Sequence, residues 1–398
     1  MNKIFTYWTI LLMFSTANIM AQNQTDNSDN QFALEFYEQI ADSEKNLFFS
    51  PYSISLALAM TYEGARGETA EEMRNVLHFP ESREEMRESY ASEKKKMTQS
   101  PDEEKYIFKI ANAVWAADHI KFKKEYFEHI KSGYGAPVNT VDFKDDKARN
   151  NAIEDMNRWT ENNTEGKIKD LIKPTDLSIE TIMVLINAVY FKAQWANVFK
   201  ESRTKDDTFY AFDENITTAF MHQTKRMKYY KDNLISAVEI PYYNHKASMH
   251  ILLPHNSENF SKLQSKLDTN YFNSIKEKAE YSTIELKLPK FRTENRIYLE
   301  EAFQKVGMKK PFGNKADFSG MSDAGNISID KIIHQSYIDL NEDGTEAAAA
   351  TAVIMKRTTA VMPEKSIAFA ADKPFIYFIT DNDTGNLMFI GHLVNPKK

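Results

Sequence analysis

The stretch GTEAAAATAVIMKRTTAVMP, residues 344–363, opens with a run of alanines and leads to two adjacent basic residues. Taken in alternation from Thr345 to Lys356, one face is small or apolar and carries no charge, whereas the other face holds Glu346 and Lys356. The charge-free face consists of Thr345, Ala347, Ala349, Thr351, Val353 and Met355. A strand that enters a sheet and buries one side requires such a face. The pattern therefore permits insertion into a sheet.

A surface helix is the alternative structure for this stretch, because alanine has the highest helix propensity. Thr351 and Val353 are β-branched, however, and no apolar stripe at i, i+3, i+4 spacing is present. The Lys356–Arg357 pair, followed by two threonines, is typical of a segment exposed to proteases. We therefore favour an exposed segment with strand character.

Length and composition favour one large domain. Although 398 residues would allow two or three domains, glycine and proline are scarce, at 12 each, and no linker-like tract divides the chain. Hydrophobic residues make up 42% of the chain, enough for a substantial core. The net charge of −7 argues against nucleic-acid binding. Because there is no cysteine, disulfides, thiol catalysis and thiolate metal sites are excluded.

The N-terminus has the pattern of a secretory signal peptide. Lys3 precedes the apolar residues 4–14, and Ala21 precedes a polar segment. We predict a signal peptide over 1–21, a polar leader over 22–31 and the folded domain over 32–398; a buried first helix is the alternative for the apolar part. That part is too short to span a bilayer, and no cysteine is placed for a lipid anchor, so we expect no membrane association. The predicted location is secreted or periplasmic, and a disulfide-free exported chain favours a bacterial source.

Periodicity predicts an α+β fold, with helices mainly in the first half and strands mainly in the second. Thr69, with Glu72 three residues later, predicts a helix start closed by a capping box. Helices are also predicted over 32–40, from Ser50 to Gly64, over 150–166 and over 299–306. Strands are predicted over 182–195, 237–240, 249–253 and 284–288, with a final hairpin that turns at 381–385.

No enzyme motif is present in the chain. The phosphate-binding, dinucleotide-binding, zinc-protease and nucleophile-elbow patterns are all missing. Asp339, Asn341 and Asp343 match the start of a calcium-binding loop, but the twelfth position, which requires a bidentate Glu, is Ala350. We therefore predict no catalytic residue, no metal site and no cofactor.

Four separated segments, taken in order, resemble the serpin family. They are residues 46–53 (NLFFSPYS), 185–195 (LINAVYFKAQW), 341–351 (NEDGTEAAAAT) and 369–375 (FAADKPF). The resemblance runs from about Phe32 to the end of the chain. It implies a single serpin-fold domain of about nine helices and three β-sheets, folded to a metastable state, with an exposed reactive-centre loop at about 342–368.

The resemblance also implies an exported, suicide-type inhibitor of serine proteases. In this mechanism the target attacks a loop bond and forms an acyl-enzyme, and the cleaved loop then inserts as a strand of the main sheet. The implied partners are proteases of trypsin-like or elastase-like specificity, with cysteine proteases as further candidates, and the implied state is a monomer. The alternative is a non-inhibitory serpin acting as a carrier or binding protein. Such a protein would carry bulky or charged residues at the inward hinge positions, and none is present.

Individual residues carry over from the family pattern. The hinge is Gly344, Thr345, Glu346, Ala347, Ala348, Ala349, Ala350 and Thr351; the sheet-opening cluster is Ser50, Ser53, Asn187 and His334; and Trp195 lies where the loop first enters. Counting the usual 17 residues from Glu342 reaches Thr358, which suits an elastase-like enzyme. We favour the bond Arg357–Thr358, which suits a trypsin-like pocket, over Thr358–Thr359. A second bond nearer Val361 is a further alternative.

Overall fold

The computed structural model describes residues 28–325, 327–346 and 365–398. The described ranges contain nine α-helices: α1 (28–40), α2 (Pro51–Tyr62), α3 (Gly67–Leu77), α4 (Arg83–Thr98), α5 (Lys124–Tyr134), α6 (Asp146–Asn163), α7 (Glu258–Lys266), α8 (Thr269–Lys278) and α9 (Glu300–Lys305). This confirms the predicted α+β class and number of helices. Within these ranges, no helix is both long enough and apolar enough to cross a membrane.

Fifteen strands accompany the helices in the described residues. They are β1 (Leu47–Phe49), β2 (Tyr106–Ala117), β3 (Val138–Val141), β4 (Met183–Gln194), β5 (Lys205–Tyr210), β6 (Asn215–Lys231), β7 (Ile235–Pro241), β8 (Ala247–Pro254), β9 (Glu280–Pro289), β10 (Phe291–Tyr298), β11 (Ile333–Leu340), β12 (Gly344–Thr345), β13 (Ile367–Ala370), β14 (Phe375–Asp381) and β15 (Leu387–Leu393). The predicted strand at 182–195 is β4, and the predicted hairpin is β14–β15.

The strands form a six-stranded main sheet and a nine-stranded second sheet. The main sheet has the order β10-β11-β12-β4-β2-β3. The second sheet has the order β1-β15-β14-β8-β7-β6-β9-β13, with β5 also paired to β6. Two of the three expected sheets are continuous here because the 17-residue β6 belongs to both: its C-terminal end pairs with β7, and most of its length pairs with β5 and β9.

The two faces of the main sheet are covered by different layers. On β4, Val189, Phe191 and Ala193 join the main hydrophobic core, which also contains α2. The alternating residues Ile186 and Ala188 pack instead in a smaller cluster with α6 and the segment after it. Because side chains alternate along a strand, odd-numbered residues of β4 face the core and even-numbered residues face α6. On β11 the even-numbered residues face the core instead, since Ile338 and Leu340 belong to the core and the odd-numbered Ile333 belongs to the α6 cluster.

The predicted capping box at Thr69 and Glu72 was wrong. Helix α3 begins at Gly67, and its N-cap, Arg66, makes no side-chain cap hydrogen bond. Thr69 Oγ1 accepts the backbone N–H of Asp317 instead. Glu72 Oε2 accepts the backbone N–H groups of Lys309 and Lys310. Both side chains are therefore used in tertiary contacts, which a local pattern cannot distinguish from a cap.

Candidate functional site

The start of the hinge lies inside the main sheet. Gly344 and Thr345 form β12, which pairs antiparallel with β4 (Gly344 with Gln194, Thr345 with Ala193) and antiparallel with β11 (Thr345 with Leu340). Thr345 is only 1% exposed. The chain thus enters between two strands and occupies the first positions of an additional strand.

Below β12 the main sheet is not closed. Strands β4 and β11 pair directly, and in parallel, only where His334 meets Asn187 and Gln335 meets Ala188. Between these positions and β12, residues 189–192 of β4 face residues 336–339 of β11 without ladder pairing in the described structure. We call this region the strand gap. It has the geometry that would accept one more antiparallel strand.

Gly344 is required by close backbone packing. A Cβ atom at this position would lie 2.0 Å from the carbonyl oxygen of Ala193 and 2.8 Å from Cα of Gln194. Both neighbours are backbone atoms, so no side chain can move aside. A larger residue here would push β12 out of the sheet.

The entrance to the gap is built by aromatic residues. Trp195 stacks on Tyr242 with ring centroids 4.4 Å apart, and its Nε1–H donates to the carbonyl of Asn341 at 3.0 Å. The Trp195 backbone N–H donates to the carbonyl of Asp343 at 2.8 Å. The hydroxyl of Tyr242 lies 2.6 Å from Thr345 Oγ1, and both groups are buried. Trp195 therefore lies directly beside the segment that leads into β12; its role in loop entry stays a prediction.

Glu342 anchors the chain just before the hinge. Its carboxylate accepts from Thr204 Oγ1 at 2.7 Å and pairs with Lys290 Nζ at 2.7 Å. Although burial acts to raise the pKa of Glu342, the contacts with Lys290 and Thr204 hold it below its usual value. The segment that leads into the sheet is thus held from two sides.

The four residues of the sheet-opening cluster lie together beneath the gap. Ser53 Oγ and Asn187 Oδ1 are 2.9 Å apart, and Asn187 Nδ2 donates to the carbonyl of Ser53 at 2.8 Å. The backbone N–H of Ser50 donates to His334 Nε2 at 3.1 Å. The other ring nitrogen, Nδ1, therefore carries the proton and faces Asn187 Oδ1 at 3.3 Å. Burial lowers the pKa of His334 to about 3, so the ring is neutral.

Sequence reasoning missed several members of this site. Asn187 Nδ2 also donates to Asn112 Oδ1 at 2.7 Å, which ties β2 into the cluster. Asn112 is a single amide inside the apolar strand YIFKIANAVWAA, and that isolation was a usable signal. Tyr242 and Lys290 carry no comparable local signal, because only the tertiary fold brings them to the hinge.

Other predicted positions lie outside the described residues. These are Ala347, Ala348, Ala349, Ala350 and Thr351 of the hinge and the bonds Arg357–Thr358 and Thr358–Thr359. Among the described residues, no group of three or more His, Asp or Glu side chains could hold a metal ion. Asn341 Oδ1, in the calcium-like stretch, accepts the backbone N–H groups of Asp343 and Gly344 instead.

Comparison with known proteins gives one family over nearly the whole chain. The family model described as "Serpin (serine protease inhibitor)" matches residues 27–396. An uncharacterized serpin-like protein of Thermococcus kodakarensis is 38% identical and covers 93% of this chain and 85% of its own. The leukocyte elastase inhibitor of Sus scrofa is 34% identical over 94% of this chain and 100% of its own. The crystal structure of tengpin, a thermophilic serpin in the native state, superposes with a TM-score of 0.84 at 29% identity, covering 93% of this chain and 94% of its own.

Proposed function

This chain belongs to the serpin family, and we propose that it traps serine proteases covalently by inserting its cleaved reactive-centre loop into the main sheet. The family is one of protease inhibitors, and the chain is not an enzyme. The observation that carries the proposal is the double pairing of Gly344 and Thr345 between β4 and β11. This pairing gives the first two residues of the strand that would insert and fixes its register against β4 and β11.

Continuing this register gives each hinge residue a partner on both sides. From Thr345 opposite Ala193 and Leu340, an antiparallel strand would bring Ala347 opposite Phe191 and Ile338. These side chains face the core, where Phe191 is 3% exposed and Ile338 is 0% exposed. A small residue is needed at Ala347 because a close-packed interior has no room for a larger one. The charge-free face of the loop is thus the face that would meet the core.

The same register brings Thr351 to the level of Asn187 and His334. Those two residues are each other's direct ladder partners, so full insertion must separate them. Their side chains hold the two strands together through the hydrogen bond between His334 Nδ1 and Asn187 Oδ1. The inserting strand would therefore replace the direct pairing of His334 with Asn187. The Thr351 hydroxyl would then be a new polar partner for these two side chains.

Insertion would move an attached protease a long way. At about 3.3 Å per residue, a dozen inserted residues span roughly 40 Å. A protease held as an acyl-enzyme on the loop would be carried from one end of the main sheet toward the other. Such a transition is driven by strain stored in the intact fold.

The favoured reactive bond remains Arg357–Thr358, with Thr358–Thr359 as the alternative. An Arg before the bond would suit a trypsin-like pocket, and a Thr would suit an elastase-like one. The leukocyte elastase inhibitor relative is consistent with the second kind of target. We also propose that residues 1–21 direct export, that the protein acts as a secreted or periplasmic monomer, and that it needs no cofactor.

The test is to mix the purified protein with trypsin and, separately, with elastase. We expect a complex near the summed masses on a denaturing gel, and the first residue of the released peptide identifies the bond. Thr345→Arg should abolish the complex while loop cleavage continues, because the arginine cannot be buried against Tyr242. Thr217→Arg, at an exposed position of β6, is the matched control and should form the complex normally. Cleavage of the unaltered protein by both enzymes without any complex would contradict inhibition of trypsin- and elastase-like proteases.

A further inference from the structure

Glu346, the residue directly after β12, has an unusual backbone conformation. Glu346 has φ +56°, in the left-handed region that non-glycine residues rarely adopt. Its N–H still donates to the carbonyl of Asp339 at 2.7 Å. The hydrogen bonding of β12 to β11 therefore extends to Glu346, but the left-handed conformation of this residue is not that of an extended strand.

The side chain of Glu346 is buried on the α6 face of the sheet. It is only 7% exposed, and its carboxylate forms an ion pair with Lys167, in the segment that follows α6. Lys167 Nζ also lies 5.6 Å from the ring centroid of Tyr337 on β11. This lysine therefore bridges from the α6 layer to the mouth of the strand gap.

The environment of this carboxylate is balanced between opposing effects. Burial raises the pKa of Glu346, Lys167 acts in the opposite direction, and the nearby charge of Asp339 adds to the rise. The site thus disfavours the carboxylate charge, and the Lys167 cation compensates. If the chain moved deeper, Glu346 would have to leave its left-handed conformation and become extended between β4 and β11, still beside Asp339.

We propose that Glu346 and Lys167 together stop insertion of the intact loop after Gly344 and Thr345. Lys167 holds the Glu346 carboxylate at the mouth of the strand gap. The carboxylate opposes further insertion of the loop because its charge would have to be buried beside Asp339. This inference rests on the proposed insertion mechanism and adds a regulation to it. It predicts that substituting Glu346 and substituting Lys167 change the insertion rate of the intact loop in opposite directions. An ion pair that only stabilised the intact fold would change this rate in the same direction whichever partner was removed.

Two substitutions separate these roles. Glu346→Gln removes the charge with little change of shape, so the intact loop should insert faster. Lys167→Met leaves the carboxylate buried without its cation, so the hinge should withdraw and the intact loop should insert more slowly. Lys109→Met is the matched control: Lys109 pairs with Glu165 on the same face of the sheet, near the end of α6, and does not pair with the described hinge residues 344–346.

The experiment measures conversion of the uncleaved protein, at a fixed raised temperature, to a form of higher melting temperature. We expect the rate to rise about three- to tenfold for Glu346→Gln and to fall by a similar factor for Lys167→Met, the range of a single coupled contact. The double variant should behave like Glu346→Gln alone. Hydrogen exchange at the amides of 344–346 should slow in the first variant and accelerate in the second.

The outcomes distinguish this inference from the proposed function. Equal conversion rates in all variants would overturn the proposed role of Glu346 and Lys167, even if the unaltered protein traps trypsin. Conversion rates that rise in both single variants, or fall in both, would overturn it as well. A change in the Lys109→Met control as large as that in Lys167→Met would overturn it as well. Opposite changes in the two variants, together with no protease complex in the unaltered protein, would support the stop and contradict inhibition.

Discussion

His334 and Asn187 are direct ladder partners at the lower edge of the strand gap, and they are also joined side chain to side chain, with Nδ1 of the histidine 3.3 Å from Oδ1 of the asparagine. The same asparagine binds Ser53 on α2 and Asn112 on β2. One amide therefore links β4 and β11, the two strands that would part in the proposed insertion, with β2 and with α2. The closure of the sheet depends on buried polar groups that hydrogen-bond to one another.

The protein should lose stability in mild acid because His334 is buried in its neutral form. Its pKa is about 3 in the folded protein and near 6.5 when exposed. Between these pH values the unfolded chain binds a proton that the folded protein does not, so this stability is present above about pH 6.5 and is lost as the pH falls toward 3. At about pH 5 the loss from this residue is on the order of 2 kcal/mol. Melting temperatures measured near pH 7.5 and near pH 5 test this.

The control for the acid effect is His334→Gln, which cannot titrate. Its melting temperature should be lower than that of the unaltered protein at neutral pH but should depend less on pH. Residual pH dependence is expected because burial also lowers the pKa of His250, to about 4. A variant with an undiminished pH dependence would show that His334 is not the group responsible.

Gly344→Ala should convert the protein from an inhibitor into a substrate. The added Cβ would lie 2.0 Å from the Ala193 carbonyl oxygen, so β12 cannot form and insertion lacks its starting point. We expect more protein to be consumed per protease molecule inactivated, with loop cleavage retained. Gly313→Ala is the control, since a Cβ there meets ordinary contacts of 3.6 Å or more. Unchanged stoichiometry in Gly344→Ala would mean that β12 is dispensable.

Tyr242→Phe should loosen the hinge without removing the aromatic stack on Trp195. The substitution leaves the buried Thr345 hydroxyl without its 2.6 Å partner, which costs about 1–3 kcal/mol. Hydrogen exchange at the amide of Thr345 should accelerate by at least about fivefold. Tyr281→Phe, at a site that is 60% exposed, should leave that exchange rate unchanged. Equal exchange rates in the two variants would show that the hydroxyl pair does not hold the hinge.

The sequence indicated the elements whose signal is local and missed those defined by tertiary contacts. The apolar run of β4 and the final hairpin could be predicted because the apolar pattern of each strand lies within one continuous segment. The helices α7 and α8 were not assigned. Thr69 and Glu72 were misread because their partners, Asp317 and Lys309, lie far away in the chain. The ion pair of Glu346 with Lys167 depends on α6 crossing the sheet, which no local pattern encodes.

Thr351→Glu should destabilise the loop-inserted form while leaving the intact protein unchanged. The register from β12 would bring residue 351 to the level of Asn187 and His334 on the core face, where both partners are nearly fully buried. A carboxylate there would be desolvated beside a neutral imidazole, which is strongly unfavourable.

The measurement compares melting temperatures before and after cleavage of the loop by trypsin. The unaltered protein should melt at a much higher temperature once cleaved, and Thr351→Glu should lose most of that increase while its intact form melts normally. Thr359→Glu is the matched control, because residue 359 follows the bonds Arg357–Thr358 and Thr358–Thr359 and, by the proposed mechanism, would not enter the sheet. A full increase in Thr351→Glu would mean that the inserted strand does not follow the register that Gly344 and Thr345 begin.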